Sequence, residues 1–339
     1  MKAVFVRGPG DLAVMERDPP SPGPGEALVR IVAAGICASD VGVIEGFNPI
    51  AVYPLTPGHE CVGVVEAAPD DAPVRRGDRV TVYPSVGCGA CPACLAGRYN
   101  HCPTFKVIGI SRDGGIFAER VVVPVAQLLP VPAGLGELES ALIEPTAVAV
   151  HVNRRAAAAP GGRVVVIGTG VIGTLVAQVA RAYDAADIVV VDRLESRRAF
   201  LAGLGFDRFV RANDGPLGQG IRRHLEAADV VFDCVCANAT LDAALDLLTP
   251  GGKLVMVASP HGEHRLELPF AKVYRRELSL IASRNYVPDD FREAMRLMAE
   301  GRVEVGPLIT GVWPLAEFAA AYADLKAYPD RHLKVLLRP

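Results

Sequence analysis

The stretch VVVIGTGVIGTLVAQVA at residues 164–180 decides the fold of this chain. It reads as an apolar strand, a turn with three glycines and an apolar helix. The first glycine permits a tight turn, the second lets backbone approach a pyrophosphate, and the third lets the helix pack against the strand. The amides at the helix N-terminus would face the phosphates. The predicted cofactor-binding residues of this loop are Gly168, Gly170, Val171, Ile172 and Gly173.

The next predicted strand, DIVVVD, strengthens the dinucleotide interpretation because it ends in a carboxylate, Asp192, 24 residues after Gly168. A carboxylate at this place accepts hydrogen bonds from the adenosine ribose and repels a 2′-phosphate. Arg193 and Arg197 follow it, and an arginine there can stack on adenine or bind a 2′-phosphate. We therefore predict NAD as the cofactor and keep NADP as the less favoured alternative.

The region around this loop alternates between apolar strands and amphipathic helices from residue 163 to about 258. That alternation predicts a parallel sheet covered by helices on both faces. The glycines of 164–180 favour a strand, turn and helix over a membrane span. Strands are expected near 163–167, 188–192, 208–211, 229–233, 252–257 and 278–283, and helices near 172–183, 195–203, 216–227 and 239–248.

The first 150 or so residues differ in character. Short Val/Ile-rich runs separated by Gly, Pro and Asp predict a β-rich domain. With 339 residues the chain is too long for one ordinary core, so two domains are expected. A net charge of −3 argues against nucleic acid or an anionic membrane as a partner. The N-terminus lacks the apolar core of a signal peptide, and we expect a cytoplasmic protein.

A cysteine-rich stretch, CGACPACLAGRYNHC at residues 88–102, has the spacing C-x2-C-x2-C-x7-C. Two-residue gaps let successive thiolates converge on one ion, and the loop returns the fourth. Four thiolates favour zinc or an iron–sulfur centre, and the spacing does not decide between them. Such a closed shell has no open position for a substrate, so a structural role is expected. The cysteines are Cys88, Cys91, Cys94 and Cys102.

Catalysis by a metal needs an open position, and three other stretches offer suitable ligand types. Taken singly, each has an ordinary structural explanation as a core cysteine, a hydrogen-bonded surface histidine or a turn. The candidates are Cys37, Ser39 and Asp40 in GICASD, His59 and Glu60 in TPGHECVG, and Glu144 in LIEPTAV.

Taken in order, GICASD, PGHE, GDRV, the cysteine stretch, LIEPTAVAVH and VVVIGTGVIG resemble the zinc-dependent medium-chain dehydrogenase superfamily. The chain looks more like its polyol (sorbitol) and threonine dehydrogenase branch than the alcohol dehydrogenases of liver or yeast, which place a cysteine where this chain has Glu144. The stretches LIEPTAVAVHVNRRAAAAPG, DGGIFAERVVVPVAQLLP and SRNYVPDDFREAMRLMAEG are most similar to bacterial sugar-acid dehydrogenases of the L-galactonate 5-dehydrogenase kind.

This resemblance implies an α/β fold with two domains. A GroES-like β-barrel catalytic domain would comprise residues 1–150 and 281–339. A Rossmann NAD-binding domain with a doubly wound parallel sheet would comprise residues 151–280. It also implies two zinc ions per chain, one catalytic and one structural in the cysteine stretch.

The resemblance assigns roles to the scattered candidates as well. The implied ligands of the catalytic zinc are Cys37, His59 and Glu144. The fourth place would go to water, a substrate oxygen or Glu60. Ser39 matches the proton-relay hydroxyl of the family, and Asp40 would orient His59 through its other ring nitrogen. The histidine that relatives often carry a few residues after the cysteine is missing from CASDVGVIEG, so proton exit through ordered water is expected.

Two polar residues in SRNY, Arg284 and Asn285, fall where polyol relatives place substrate contacts. An arginine suits a carboxylate or a vicinal diol. The alternative for Arg284 is an ion pair with Glu60 or a place at a domain interface.

The expected function is NAD-dependent oxidation of a secondary hydroxyl of a polyol, sugar or L-galactonate-like sugar acid. The alternatives are an L-threonine 3-dehydrogenase-like amino-alcohol dehydrogenase and a non-catalytic zinc- and nucleotide-binding protein. The expected partners are a small-molecule substrate and further copies of the chain in a homotetramer or dimer, with no nucleic acid and no membrane.

Overall fold

The computed structural model describes residues 1–259 and 264–339, and the chain divides into two compact units. The first comprises Met1–Glu144, Val287–Met295 and Val305–Pro339, and the second comprises Pro145–Tyr286 and Arg296–Glu304. Both outer parts of the chain therefore belong to one unit. The limits differ from those expected at 150 and 281 by a few residues, and 296–304 belongs to the second unit.

The chain contains 17 strands in its described part, most of them short. They are β1 (Lys2–Gly8), β2 (Asp11–Glu16), β3 (Glu26–Gly35), β4 (Glu60–Ala67), β5 (Arg79–Val82), β6 (Ser85–Val86), β7 (Lys106–Val107), β8 (Arg120–Pro124), β9 (Leu128–Pro130), β10 (Arg163–Ile167), β11 (Asp187–Asp192), β12 (Phe209–Arg211), β13 (Ala228–Asp233), β14 (Leu248–Met256), β15 (Ser279–Ala282), β16 (Ile309–Pro314) and β17 (Lys334–Arg338).

The helices are concentrated in the second half of the chain. They are α1 (Ala38–Glu45), α2 (Pro92–Leu95), α3 (Ile143–Ala156), α4 (Val171–Ala182), α5 (Ser196–Gly203), α6 (Leu217–Arg222), α7 (Asn238–Leu247), α8 (Phe270–Arg275), α9 (Pro288–Ala299) and α10 (Phe318–Ala327). Among the described residues, no helix combines the length and apolar character needed to cross a bilayer.

The second unit is built on a six-stranded parallel sheet with the order β12-β11-β10-β13-β14-β15. Numbered from β10, this is the doubly wound order 3-2-1-4-5-6, in which ligands bind at the carboxyl ends of the strands where the order reverses. The central strand β10 is apolar throughout VVVI because both faces of the sheet are covered, and those four residues are at most 2% exposed. The predicted parallel sheet is confirmed.

The first unit contains a seven-stranded sheet with the order β16-β17-β3-β4-β5-β9, in which β8 also pairs with β3. Strands β3 and β4 are antiparallel, and Gly35 at the end of β3 pairs with Glu60 at the start of β4. Strand β17 runs antiparallel to β3 on its other side. These pairings place the chain after β3 beside the chain before β4, which positions the candidate site.

Helix α3 (Ile143–Ala156) was not among the predicted helices. Glu144-Pro145 in the sequence suggests a turn, yet both residues lie in the first turn of α3, where the missing N–H of a proline costs no hydrogen bond. The interior of α3 is buried, with Ala147, Ala149 and Val150 at 0% exposure. Tertiary packing, and not the local sequence, therefore stabilises helix α3.

Candidate active site

The site in the first unit begins at the end of β3, where Cys37 is the N-cap of α1. Asp40, in the first turn of α1, is fully buried and accepts a hydrogen bond from the Cys37 backbone N–H through Oδ2 at 2.9 Å. Because an acidic side chain in the first helical turn satisfies an otherwise unpaired N–H, this bond fixes the backbone that carries the Cys37 thiol.

The same Asp40 orients His59. Its Oδ1 lies 3.1 Å from His59 Nδ1, the contact predicted from the sequence. Burial lowers the pKa of His59, but the charge of Asp40 outweighs it and holds that pKa well above 6.5. Since Asp40 occupies Nδ1, the other ring nitrogen, Nε2, is the one available to a metal, and it lies 3.4 Å from Ser39 Oγ. Ser39 Oγ also donates to Cys37 Sγ at 3.2 Å.

Sequence reasoning missed Lys334, which is buried beside this group. Lys334 Nζ donates to Glu60 Oε1 at 2.8 Å and Oε2 at 2.6 Å, and to the Ile36 carbonyl at 3.1 Å. Burial opposes the charged form, but the negative charges of Glu60 and Cys37 raise the pKa of Lys334 above its ordinary value. A lysine at the start of the otherwise apolar strand KVLL was the only available signal.

The ligand atoms of Cys37, His59 and Glu60 lie within 4.8 Å of one another. Glu144, predicted as a ligand, is buried and its charge acts on Cys61 and Lys334, but among the described residues it does not belong to this converging group. One thiolate, one imidazole nitrogen and carboxylate oxygens form a donor set that suits zinc. The residues therefore fit a zinc ion. A catalytic zinc needs only three protein ligands, because its fourth position is taken by water or substrate.

The four cysteines of 88–102 also converge, with all Sγ atoms within 4.8 Å of one another. Four sulfurs bonded to one zinc lie about 3.8 Å apart, and Cys88 Sγ is 4.0 Å from Cys94 Sγ. Backbone N–H groups of the same loop donate to the sulfurs, as from Cys91 to Cys88 and from Cys88 to Cys102, both at 3.3 Å. This donor set fits a closed, structural zinc site.

Hydrogen bonds within the loop also lower the pKa of two of its thiols. Hydrogen bonds from Thr104 and from the Cys88 backbone lower the pKa of Cys102 to about 6. Backbone N–H groups of Ala90 and Cys91 lower the pKa of Cys88, whereas burial raises the pKa of Cys94 to about 12. A metal binds the thiolate form of cysteine, so the lowered pKa values of Cys88 and Cys102 favour metal binding at these two residues.

In the second unit, the glycine loop lies between β10 and α4. Gly168 has a φ of +87°, and a Cβ on Gly173 would lie 1.9 Å from the Gly168 carbonyl oxygen. A Cβ on Gly170, the N-cap of α4, would meet nothing within 4 Å. The loop therefore leaves open space over the first N–H groups of α4, which have no partner inside the helix and suit a pyrophosphate.

Asp192 lies at the carboxyl end of β11 beside this loop. Its Oδ2 accepts hydrogen bonds from the backbone N–H and the hydroxyl of Thr169 at 2.8 and 3.0 Å, and its Oδ1 accepts from Leu194 N–H. The carboxylate is thus fixed against the glycine loop. Of the two arginines, Arg193 is exposed, whereas Arg197 is buried in α5 with 8% exposure.

Two known protein families match this chain. Residues 23–133 match the alcohol dehydrogenase GroES-like domain, and residues 171–300 match the zinc-binding dehydrogenase family. This chain is a zinc-dependent medium-chain dehydrogenase. The predicted combination of a GroES-like domain with a Rossmann-type parallel sheet is confirmed.

Relatives of this dehydrogenase act on polyols and sugar acids, as their names state. It is 36% identical to L-galactonate-5-dehydrogenase of Escherichia coli K12 over 334 residues, which is 95% of this chain and 94% of the relative. It is 34% identical to sorbitol dehydrogenase 1 of Saccharomyces cerevisiae over 99% of this chain and 97% of the relative. The chain is therefore a dehydrogenase of the polyol and sugar-acid group.

Solved structures of similar proteins include both nicotinamide cofactors. A short chain alcohol dehydrogenase from E. coli CFT073, complexed with NADH, has a TM-score of 0.93 at 29% identity, with 100% of this chain and 99% of that chain covered. A putative zinc-binding dehydrogenase from Sinorhizobium meliloti 1021, bound to NADP, has a TM-score of 0.92 at 31% identity with the same coverage.

The predicted substrate residues of the dehydrogenase follow strand β15. Arg284 is exposed, and Asn285 has a φ of +52°, a left-handed conformation that asparagine adopts more readily than most residues. Their role as substrate contacts stays a prediction. The alternative ion pair of Arg284 with Glu60 is not needed to neutralise Glu60, whose two carboxylate oxygens accept from Lys334.

Proposed function

We propose that this dehydrogenase oxidises a secondary hydroxyl of a sugar acid of the L-galactonate kind, with NAD as the hydride acceptor. The observation that carries the proposal is the convergence of the half-buried Cys37 and Ser39 with the buried His59, with a separate closed cluster for the second metal. The identity to an L-galactonate-5-dehydrogenase supports the substrate class.

Catalytic zinc would be held by Cys37 Sγ, His59 Nε2 and Glu144. When bound, zinc acts as a Lewis acid that lowers the pKa of a substrate hydroxyl. The protein residues do the rest. Asp40 keeps the His59 ring oriented, and Ser39 Oγ, 3.2 Å from Cys37 Sγ, would accept the proton that the hydroxyl loses while it releases its own proton toward the cofactor ribose and solvent.

NAD would be held by the glycine loop and Asp192. NAD, when bound, accepts the hydride from the substrate carbon. Gly170 leaves backbone amides open to the pyrophosphate, and the Asp192 carboxylate would accept hydrogen bonds from the ribose hydroxyls and repel a 2′-phosphate. The exposed Arg193 is the residue that would favour NADP, so the ratio of turnover with the two cofactors tests this part.

The carboxylate of the substrate would be bound by Arg284, with Asn285 beside it. The variant Arg284→Ala is expected to raise KM for an aldonate by about 10-fold or more and to change KM for the matching alditol little. An equal effect on both substrates would contradict a carboxylate role.

The decisive experiment measures cofactor reduction by the purified zinc-loaded protein with alditols, aldonates and amino alcohols. Oxidation of an L-galactonate-like aldonate with NAD is expected. Turnover of threonine with none of aldonates or alditols would favour the amino-alcohol alternative, and bound zinc with no turnover of any alcohol would favour a non-catalytic binder. A cytoplasmic location and an oligomeric assembly stay predictions from the sequence.

A further inference from the structure

Thr169, between the first two glycines of the loop, is bound to the carboxylate that the proposed function assigns to the ribose of NAD. It is fully buried. Its backbone N–H and its hydroxyl both donate to one atom, Asp192 Oδ2, at 2.8 and 3.0 Å. The three-glycine fingerprint leaves the residue at this place unspecified, so the hydroxyl is a feature of this chain and not of the motif.

Thr169 is itself held from two sides. Its carbonyl accepts a hydrogen bond from Thr174 Oγ1 at 3.1 Å, and Thr174 is a fully buried residue of α4. The backbone just before it is fixed as well, because Gly168 N–H donates to the Val191 carbonyl at 2.8 Å. The Asp192 carboxylate, the glycine loop and the first turn of α4 are therefore connected by a continuous set of hydrogen bonds.

The carboxylate of Asp192 receives only uncharged donors among the described residues. Besides the two bonds from Thr169, its Oδ1 accepts the Leu194 N–H at 3.0 Å. The nearest cation in register on strand β12, Arg211, pairs with Asp214 at 3.5 Å instead. No described cation therefore neutralises the carboxylate. Three of the roughly four lone-pair positions of a carboxylate are used, and the one that remains is on Oδ1.

This arrangement suits one of the two nicotinamide cofactors. The adenosine ribose of NAD has a 2′-hydroxyl that can donate to a carboxylate at this place. The 2′-phosphate of NADP instead carries about two negative charges. A carboxylate that could rotate would turn away from that phosphate, and the exposed Arg193 beside it could then bind the phosphate. Discrimination between the two cofactors therefore depends on a carboxylate that is held in place.

We propose that Thr169 is a positioning residue whose hydroxyl holds Asp192 in the orientation that rejects a 2′-phosphate, and that it thereby contributes to a preference for NAD over NADP. This rests on the proposed function, which takes Asp192 as the residue that meets the ribose. The backbone donors to Asp192 stay whatever side chain stands at 169, so the hydroxyl is the part of the restraint that a substitution there removes.

A second threonine–aspartate pair in the same sheet offers a matched control. Asp233 ends strand β13, and its Oδ2 accepts a hydrogen bond from Thr240 Oγ1 at 2.6 Å, while its Oδ1 accepts two backbone N–H groups. Asp233 is 1% exposed, whereas Asp192 is half-buried. Thr240→Val therefore removes the same kind of hydrogen bond from an aspartate that is closed to solvent.

The test measures binding of ADP-ribose and 2′-phospho-ADP-ribose to the zinc-loaded full chain by titration calorimetry. These probes carry the adenosine half of each cofactor without the nicotinamide, so the result requires no turnover. Thr169→Val removes the hydroxyl and keeps the branched shape. It should reduce the preference for ADP-ribose, as a ratio of the two affinities, by about 3- to 10-fold. Thr169→Ser keeps the hydroxyl and should restore the ratio, and Thr240→Val should leave it unchanged.

Three results would overturn the proposal alone, provided that the wild type prefers ADP-ribose. They are an unchanged ratio in Thr169→Val, an equal loss of affinity for both probes, and the same loss of ratio in Thr240→Val. The last two would describe a merely structural role, because they do not depend on the 2′ group or on Asp192.

Folding and the wild-type preference complete the test. Thermal melting of each variant reports whether it folds, and Thr169→Ala is a second variant without the hydroxyl. Failure of both variants to fold would show that the hydroxyl serves the fold, and would also overturn the proposal. If the wild type binds 2′-phospho-ADP-ribose as tightly as ADP-ribose or more tightly, the assignment of Asp192 in the proposed function fails, and this proposal with it.

Discussion

The two metal-binding regions of the first unit are built in opposite ways. The cluster of Cys88, Cys91, Cys94 and Cys102 comes from fifteen consecutive residues, and the loop's own N–H groups donate to its sulfurs. The candidate catalytic site brings together Cys37, which follows β3, with His59 and Glu60 at the start of β4, and their charged partners come from α1 and β17. One region contains four identical donors, and the other contains a different donor type at each place.

This difference in ligands separates a structural metal site from a catalytic one. Four thiolates complete a tetrahedron and leave no place for substrate. A mixed set with three ligands leaves one place open, but it needs outer partners to fix each ligand and to balance its charge. Asp40 and Lys334 are those partners, and both are nearly completely buried. The two regions should therefore respond differently to substitution.

The largest expected effect comes from His59→Ala. Loss of a catalytic ligand should reduce kcat/KM by more than the roughly 100-fold that loss of an outer partner costs, while the protein stays folded. Steady-state kinetics and thermal melting measure the two quantities. The control is His101→Ala, beside the four-cysteine cluster. A His59→Ala protein that keeps more than a tenth of the activity would break the assignment of the two regions.

Replacing Cys94 should have the opposite outcome. Cys94→Ser opens the structural shell and is expected to cost about 4 kcal/mol or more in the free energy of unfolding, as losses of metal sites do. The folded fraction should still turn over substrate with a similar kcat. Cys234→Ser, at a half-buried thiol outside both clusters, is the control. If Cys94→Ser lost the chemical step with no loss of stability, the roles of the regions would be reversed.

A smaller effect is expected from Asp40→Asn, which should weaken zinc binding by about 10- to 100-fold. In the zinc-free protein, Asp40 raises the pKa of His59 above 6.5 against the effect of burial. Protonated His59 cannot bind zinc, so wild-type affinity falls as pH drops below that raised pKa. Without the charge of Asp40, the fall should move to lower pH.

Competition with a chelator across the neutral range measures this shift. Asp11→Asn, at an exposed ion pair with Arg7, is the control and should leave the profile unchanged. An Asp40→Asn profile that falls at the same pH as the wild type would show that Asp40 acts on His59 through geometry alone.

The smallest effects come from a matched pair of glycines, one in each region. A Cβ would lie 2.6 Å from Cys94 Sγ on Gly87 and 2.2 Å from Glu60 Oε2 on Gly35, and neither glycine has a positive φ. Each alanine variant should cost about 1–3 kcal/mol of overpacking. Gly87→Ala should speed zinc loss from the cluster, and Gly35→Ala should reduce turnover. Gly203→Ala, with open space around it, is the control. If Gly87→Ala and Gly35→Ala had the same phenotype, the expected difference between the two metal-binding regions would be contradicted.

What could be predicted from the sequence follows the same division. The cysteine cluster, the glycine loop and Asp192 are set by spacing within one loop or one strand–turn–helix unit. Their physical requirements, such as the close approach at Gly173, are local. The parallel sheet was predictable because strands buried on both faces are continuous apolar runs.

The rest depends on contacts between distant parts of the chain. Cys37, His59 and Glu144 were found through resemblance, since each alone suits a core or a turn. Lys334 was missed because nothing near it in sequence marks it as the partner of Glu60. Helix α3 was missed because its first turn, with Pro145, has the composition of a loop and is stabilised by packing.

The Glu60–Lys334 pair also determines how late in synthesis of the chain the candidate catalytic site can form. At about 5–20 residues per second of synthesis, the ribosome needs about 1–3 s to advance the 14 positions from Cys88 to Cys102, whereas the 274 positions from Glu60 to Lys334 take about 14–55 s. The four-cysteine loop is complete almost as soon as it emerges. Strands β3 and β4 must wait for β17 before Glu60 has its ammonium. The nascent chain can thus acquire its structural metal long before it has a working catalytic site.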